Sequence, residues 1–192
     1  MPQSSHNTDL YTIGKGILYI KEFGASDNDY ADMGNAPNAE IEPIIERLPH
    51  YSSRSGYRTK DKNPTISTEY NLNITLDEIS QANLAKFLMG SLSTDLITIS
   101  ALQMADQEYS IKFIEDNPIG LNKIWFFHRL TISPNGAMSL ITEEWEQISI
   151  TCEGLSDVSN NPTSPYFTVT AVTTTTTTTS TSTTTTTTTT TA

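Results

Sequence analysis

The sequence predicts an all-β protein, an antiparallel β-sandwich or barrel with one short flanking α-helix. The strongest evidence is residues 64–77, PTISTEYNLNITLD, where apolar and polar side chains alternate over fourteen residues. That alternation is typical of a long strand with one buried and one wet face. Turn signals such as Pro134-Asn135-Gly136 separate further segments of strand composition. Only residues 81–89 have the spacing and caps of a helix.

The long strand 64–77 sets the expected orientation of the sheet. Its alternation favours antiparallel pairing, because parallel strands buried on both faces would not alternate. Glu69 falls on the wet face, among the odd-numbered residues. The expected core face is formed by the even-numbered residues Ile66, Thr68, Tyr70, Leu72, Ile74 and Leu76.

The remaining strands follow from composition and turn signals. Two are expected before the long strand, at residues 16–23 and 39–48. Pro43 marks the second as an edge strand or the site of a bulge, because proline cannot donate to a neighbouring strand. After the helix, strands are expected at 95–102, 108–115, 122–133, 137–153 and 166–172. The total is about eight strands, as in a sandwich or barrel.

The predicted helix begins after Ser80, a favourable N-cap residue. Ile79 and Leu84 occupy the positions of a hydrophobic staple, and Gly90 is expected as the residue that ends the helix. At about nine residues it must pack against another element to persist. The face expected to do so contains Leu84, Phe87 and Leu88.

Composition limits the function classes. The 192 residues carry 11 Lys and Arg against 22 Asp and Glu, a net charge of −11, which disfavours general affinity for nucleic acid. The apolar run 124–127 is far shorter than the roughly 20 residues of a membrane helix. The first residues lack the features of a secretory signal, so we expect neither a signal peptide nor a membrane anchor.

Candidate catalytic and metal-binding residues are sparse. None of His6, His50 and His128 has metal-ligand spacing to another histidine, and His128 is expected to be a satisfied histidine at the core edge, on one face with Ile124, Phe126 and Leu130. Cys152, the single cysteine, is expected to be a small buried hydrophobic residue. Adjacent carboxylates such as Glu143 and Glu144 would point to opposite faces of a strand. We therefore predict no catalytic residues, no metal, no cofactor and no enzymatic activity.

Charge is unevenly distributed. The basic segment, residues 47–62 (RLPHYSSRSGYRTKDK), holds five Lys and Arg against one Asp, a net charge of +4, which leaves −15 on the rest. It lies in a connection of about sixteen residues that is longer than usual and is not expected to be an element interior. Three interpretations stay open: a solvated loop, a nucleic-acid or heparin patch, and a plug for an acidic surface on another copy. Tyr51 and Tyr57 favour an interface.

Residues 42–90 resemble the tail tube (major tail) proteins of long-tailed, siphovirus-type bacteriophages. The similarity rests on HYSS at 50–53, Ser55-Gly56, Arg58 and Lys60-Asp61, followed by the long strand and by Ser80 with Asn83-Leu84-Ala85 and Phe87. The first strand, GKGILYIKEF at 14–23, is also similar. The resemblance implies a β-sandwich or barrel whose hexameric rings stack into a tube, with a long loop, here 47–63, bridging rings.

The resemblance also implies partners: further copies of the chain, a tape measure inside the tube, tip and terminator proteins at its ends, and DNA passing without specific binding. The location would be the virion tail, assembled in the bacterial cytoplasm. We expect ring-interface contacts from the loop and a lumen-lining role for Glu69, whose alternative is an ordinary solvent-facing position. The expected interface residues are His50, Tyr51, Arg54, Tyr57, Arg58, Lys60 and Lys62.

The expected domain organisation is an N-terminal arm at 1–12, a β-domain at 13–172 and a low-complexity tail at 173–192. The tail holds 17 Thr, two Ser and one Ala, which is consistent with an uncharged bristle open to O-glycosylation, an added β-strand, or a repeat-expanded remnant. An alternative function is a β-sandwich adhesin or carbohydrate-binding module on a Thr-rich stalk. That alternative leaves the charge separation and the motif at 50–61 unexplained.

Overall fold

The computed structural model describes residue 7 and residues 10–54, 56–104 and 106–172. Twelve strands and one α-helix lie in these ranges, so the all-β prediction is confirmed. No helix in them is long and apolar enough to cross a bilayer. Ser55, most of the predicted arm and the whole threonine-rich tail lie outside the described residues.

The elements follow one another along the chain with one 3-10 turn, Asp27–Asp29, after the first strand. The α-helix α1 (Gln81–Phe87) lies between β6 and β7. The strands are β1 (Gly16–Glu22), β2 (Ala31–Asp32), β3 (Asn38–Arg47), β4 (His50–Ser52), β5 (Thr59–Lys62), β6 (Thr65–Leu76), β7 (Ser91–Leu92), β8 (Ile99–Ser100), β9 (Glu108–Glu115), β10 (Asn122–Pro134), β11 (Ile148–Gly154) and β12 (Phe167–Val172).

Eight of the strands form one antiparallel sheet in the order β2-β1-β9-β10-β11-β6-β3, with β12 also paired to β10. The sheet branches at β10, because residues 122–127 pair with β12 and residues 130–134 pair with β11. β2 and β3 end the path without pairing to each other, so the described strands do not close a barrel. β3 is an edge strand, as Pro43 predicted.

The core lies on one face of this sheet and is covered by α1. On β6 the predicted alternation is confirmed from Tyr70 to Leu76, where every even-numbered side chain is buried. The first part of the strand behaves differently, since Ile66 and Thr68 are exposed. The other large contributions come from Leu18, Ile20, Met33, Ile111, Leu130, Ile132, Ile148, Ile150 and Cys152.

A β-bulge changes which residues of β10 face the core. The register against β9 shifts between Phe127 and Leu130, so both of these residues are buried although one is odd-numbered and the other even. The expectation that Ile124, Phe126, His128 and Leu130 share one face is therefore wrong. A bulge moves all later side chains to the opposite parity.

Two predicted strands are largely absent. In 95–102 only Ile99–Ser100 pairs, because Leu96 and Leu102 have positive φ angles of 59° that extended strands do not adopt. In 137–153 the strand begins only at Ile148. Of the large apolar side chains that precede it, only Met138 packs against the core, whereas Leu140, Ile141 and Trp145 are exposed, so little anchors this segment to the sheet.

The helix forms where it was predicted but ends two residues earlier, at Phe87. The Ser80 hydroxyl accepts a hydrogen bond from the Asn83 backbone at 3.2 Å, so the N-cap prediction is confirmed. The left-handed residue after the helix is Met89 (φ 46°) and not Gly90. Gly90 is instead required by space, since a Cβ there would lie 2.7 Å from the Ser100 carbonyl oxygen.

Buried Asn117 fastens the start of the domain to the sheet. Its side-chain amide donates to the Tyr11 carbonyl oxygen at 3.0 Å, and its side-chain oxygen accepts from the Ile13 backbone at 3.2 Å. These two bonds hold the chain where the expected arm meets the expected β-domain.

An aromatic cluster closes one end of the core. The Tyr70 ring centroid lies 5.3 Å from that of Phe167, 5.8 Å from that of Phe127 and 6.0 Å from that of Tyr166. Gly154, the last residue of β11, lies directly under the Tyr70 ring, and a Cβ at this position would occupy the same space as the ring.

We predict that Gly154→Ala destabilises the fold by about 1–3 kcal/mol, because the added methyl group displaces the Tyr70 ring from the aromatic cluster. Urea denaturation followed by circular dichroism measures this change. Gly14→Ala is the control, since a Cβ at Gly14 meets no atom within 4 Å; its effect should stay within about 0.5 kcal/mol. Equal midpoints for the two variants would contradict the role assigned to the glycine.

Candidate functional site

The basic segment contains more structure than the sequence predicted. β4 and β5 pair as a two-stranded antiparallel hairpin, with Tyr51 opposite Lys60 and Ser52 opposite Thr59. The prediction of a connection without an element interior is therefore wrong for these two short strands. This basic hairpin, residues 50–62, stands apart from the main sheet, and of its described residues only Ser52 is even partly covered.

The hairpin presents its positive charge to solvent. The Arg58 guanidinium lies over the Tyr51 ring, 4.9 Å from its centroid, a cation–π contact within the hairpin. Among the described residues, no ion pair includes any of its four Lys and Arg side chains. Their charge is thus available to an acidic partner, and they are Arg54, Arg58, Lys60 and Lys62.

The single carboxylate of the hairpin is used internally. His50 Nδ1 lies 2.6 Å from Asp61 Oδ1, across the two strands. This hydrogen bond holds the pKa of Asp61 below its ordinary value. All seven predicted interface residues thus lie in or beside one exposed hairpin.

Glu69 lies on the polar face of the sheet, opposite the core. Cross-strand neighbours share a face, so the register places Glu42 and Glu153 on either side of Asn71 in one row. On this face β3, β6 and β11 carry one cation, Arg47, which lies opposite Thr65 at the end of β3. We call this surface the acidic face, and its exposed carboxylates belong to Glu40, Glu42, Glu46, Glu69 and Glu153.

The first half of β6 and the end of β3 extend beyond the core as a two-stranded projection, here called the β3–β6 arm. On the arm's core-side face Ile45 and Ile66 are 55% and 54% exposed. β6 pairs with β11 only from Asn71 to Leu76, so residues 65–70 have no neighbouring strand on that side within the described chain. One group on this edge is used, since the Tyr166 hydroxyl donates to the Thr68 carbonyl oxygen at 2.7 Å.

Sequence reasoning missed a second exposed segment, residues 137–147, between β10 and β11. Leu140, Ile141 and Trp145 are 82%, 95% and 93% exposed there. The segment was predicted as a strand, although Glu143, Glu144 and Glu146 around the tryptophan interrupt any two-residue alternation. Because the segment is a loop, the argument that Glu143 and Glu144 point to opposite faces of a strand does not hold.

Among the residues that the structure describes, two further candidates remain, Cys152 and His128. Cys152 is fully buried, as predicted, and burial raises the pKa of its thiol. His128 Nε2 is buried and has no hydrogen-bond partner among the described residues, so the expectation of a satisfied histidine is wrong. Burial also lowers the pKa of this imidazole, with Asp157 acting in the opposite direction. The described residues include no cluster of three or more potential metal ligands, and His6 lies outside them.

Comparison with known proteins gave a family match and similarities to solved structures, two of which are described here. The profile of the family described as "Protein of unknown function UCP028589" matches residues 11–124, and no curated protein matches the sequence. The cryo-EM structure of the anti-feeding prophage cap (AFP tube terminating cap) is similar over 89% of this chain and 99% of that chain, with 8% identity and a TM-score of 0.42.

The second similarity is to the cryo-EM structure of an extracellular contractile injection system, the PVC sheath-tube complex in the extended state. It covers 81% of this chain and 88% of that chain, with 9% identity and a TM-score of 0.33. Similarities at this level do not establish a shared function.

We predict that the Asp61 carboxyl titrates below the ordinary value of 3.8, as measured by carbon-detected NMR of the folded chain. A lowered folded-state pKa means that the bond's stabilisation is complete above the ordinary value and is lost as the pH falls through the lowered one. His50→Ala is the matched change and should return the midpoint toward 3.8. An unchanged midpoint in that variant would show that His50 does not cause the shift.

Proposed function

We propose that this chain, which belongs to the family described as "Protein of unknown function UCP028589", is a structural subunit of a phage-type tail. In its specific form, the proposal is that the chain forms hexameric rings that stack into the tail tube through which DNA is ejected. The proposal rests on the β3–β6 arm, in which both strands extend past the core with exposed apolar side chains and one edge without a neighbouring strand. A natural protein rarely leaves such an edge without a partner.

The β3–β6 arm supports lateral assembly of subunits by strand addition. A neighbouring copy that pairs with residues 65–70 of β6 would satisfy the open backbone groups and cover Ile66 and Ile45. Addition of this kind continues the sheet from one subunit to the next. If each step rotates by the same angle, the chain of subunits closes into a ring.

The charge of the acidic face is consistent with the proposed passage of DNA through the tube. A duplex carries one negative charge per roughly 1.7 Å, so it would adhere to a basic wall and slide past an acidic one. With the core on the other face, the acidic face is the one that can turn toward water in an assembled ring. We therefore propose that it lines the lumen, with Glu69 on the bore.

The basic hairpin supports contact between rings. Its arginines and tyrosines are of the types enriched at interface centres. The proposed contact residues are His50, Tyr51, Arg54, Tyr57, Arg58, Lys60 and Lys62, with 13–172 as the assembling domain. The proposed role is non-enzymatic, in a virion tail together with other tail proteins.

Negative-stain microscopy of the purified protein at rising concentration tests the function. Hollow rings or tubes are the expected result. Persistent monomers that bind a glycan array would instead favour the adhesin or carbohydrate-binding alternative and would overturn the proposal.

We predict that Arg54→Glu/Arg58→Glu blocks tube formation while the monomer stays folded, because both side chains are exposed and outside the core. Sedimentation velocity measures assembly, and circular dichroism reports the fold. The control is Lys15→Glu compared with Arg58→Glu alone, since each reverses one exposed charge and Lys15 lies outside the hairpin. Tubes of normal yield from the double variant would contradict a ring-contact role.

We predict that Glu69→Lys tubes retain duplex DNA severalfold more than wild-type tubes at about 0.15 M salt, because every subunit would add one cation to the bore. Cosedimentation measures retention, and cryo-EM locates the DNA. Asp116→Lys, an equal charge change at an exposed position off the acidic face, is the control. A reconstruction with Glu69 pointing away from the axis would remove this assignment, and a bore rich in Lys and Arg would contradict the conduit argument.

A further inference from the structure

We propose that the loop at residues 137–147, here called the Trp145 loop, is the docking site for the basic hairpin of a second copy of this chain. The proposal rests on the proposed self-assembly and names the surface that would receive the hairpin. It is carried by three observations: the composition of the loop, the complementary composition of the hairpin, and their positions at opposite ends of one strand.

The Trp145 loop exposes apolar surface that its own chain leaves uncovered. Leu140, Ile141 and Trp145 are each more than four-fifths exposed. Scattered single hydrophobic residues are ordinary on protein surfaces, but three large ones within six residues form a patch that favours a partner. The loop's side-chain hydrogen bonds are local, from the Ser139 hydroxyl to the Ile141 carbonyl oxygen and from the Glu144 backbone to the Thr142 hydroxyl.

The charge of the loop limits what that partner can be. Glu143, Glu144 and Glu146 surround the tryptophan, and the loop contains no Lys or Arg. An anionic or purely apolar partner would bury these carboxylates without compensation, which is costly. A partner with cations beside aromatic or aliphatic surface fits both features.

The basic hairpin has this complementary composition. Arg54, Arg58 and Lys60 are exposed and are not in ion pairs with described residues, and Tyr51 adds an exposed ring. A guanidinium can bind a carboxylate with two parallel hydrogen bonds or stack on an indole, so arginines suit a surface that offers both groups. Trp, Tyr and Arg are also the residues that contribute most energy at interfaces.

The two surfaces join the main sheet at opposite ends of β6, which separates them within one copy. The hairpin lies just before Thr65, at the start of β6, whereas the Trp145 loop enters β11 at Ile148, which pairs with Leu76 at the end of β6. These ends are about 36 Å apart at roughly 3.3 Å per residue. This separation favours contact between copies, and a donor at one end with an acceptor at the other produces head-to-tail stacking.

The acidic face is the competing acceptor within the described chain. It offers carboxylates, but its residues on β3, β6 and β11 include only one large apolar side chain, Ile44, and no aromatic ring. The Trp145 loop offers carboxylates together with an aromatic side chain, so we assign the docking site to the loop.

A charge-exchange experiment tests this assignment. The two chains are Arg54→Glu/Arg58→Glu, which makes the hairpin acidic, and Glu143→Arg/Glu146→Arg, which makes the loop basic. Each variant alone should need an at least tenfold higher protein concentration for self-association, as measured by sedimentation velocity. Their equimolar mixture should associate like wild type, because each reversed hairpin meets a reversed loop and each native hairpin a native loop. Circular dichroism confirms that both chains are folded.

The matched control is Glu40→Arg/Glu42→Arg, which makes the same charge change on the acidic face. Mixed with the hairpin variant, it should not restore association; restoration there, and not with the loop variant, would overturn the assignment. Normal association of the loop variant alone, or an inert mixture, would also overturn it. Wild-type association that responds to these changes but gives no rings or tubes would leave docking intact and overturn the tail-tube function.

Tryptophan fluorescence gives a second measurement. Trp145 should shift to shorter emission wavelength on assembly as it becomes buried. Trp125 should change little, because its indole already donates to Glu115 at 2.9 Å and stacks near Phe127. Trp145→Phe should abolish the shift, and a shift that persists in this variant would contradict burial of the loop.

Discussion

Strand β6 is longer than the core it serves, and the other features of this molecule depend on that mismatch. Its buried face ends at Tyr70, whose ring packs on Gly154 and against Phe167. β11 also ends there, at the glycine that leaves room for the ring. Everything on β6 before Tyr70 is therefore outside the core, paired on one side only by β3.

The β3–β6 arm separates the basic hairpin from the acidic surfaces of the chain. A protein with a net charge of −11 repels its own copies unless opposite charges are concentrated on different surfaces. The arm places the basic hairpin at its tip, far from the Trp145 loop at the other end of β6. Complementary patches of this kind direct orientation more than they add raw affinity. The arrangement thus favours an ordered stack over general aggregation.

The same geometry gives the sheet two faces with different tasks. On one face, alternate residues of β6 join the core that α1 covers above β10 and β11, and Asn83 links the helix to the Met33 carbonyl oxygen at 2.7 Å. On the other, five glutamates share the surface with one cation of these strands, Arg47 at the end of β3. Loss of packing on the first face would disorder the second, because both are sides of the same strands.

The sequence by itself determined the features that depend on local pattern. The alternation of β6, the bounds of β9, the edge position of β3 and the Ser80 cap were all predictable, because each follows from side-chain period or from one residue's backbone chemistry. The charge excess of residues 47–62 was also predictable, since it is a property of composition. Their pairing as a hairpin was not, because it depends on strands that hold its two ends together.

Only the tertiary structure decided the rest. The bulge after Phe127 is set by simultaneous pairing of β10 with three strands, and one inserted residue reverses the face of all that follow. Residues 137–147 have apolar side chains suited to a strand, but only Met138 among them packs against the core, so the segment forms an exposed loop. The sequence pattern indicates which side chains can be buried. Whether a surface is present for them to pack against depends on the whole fold.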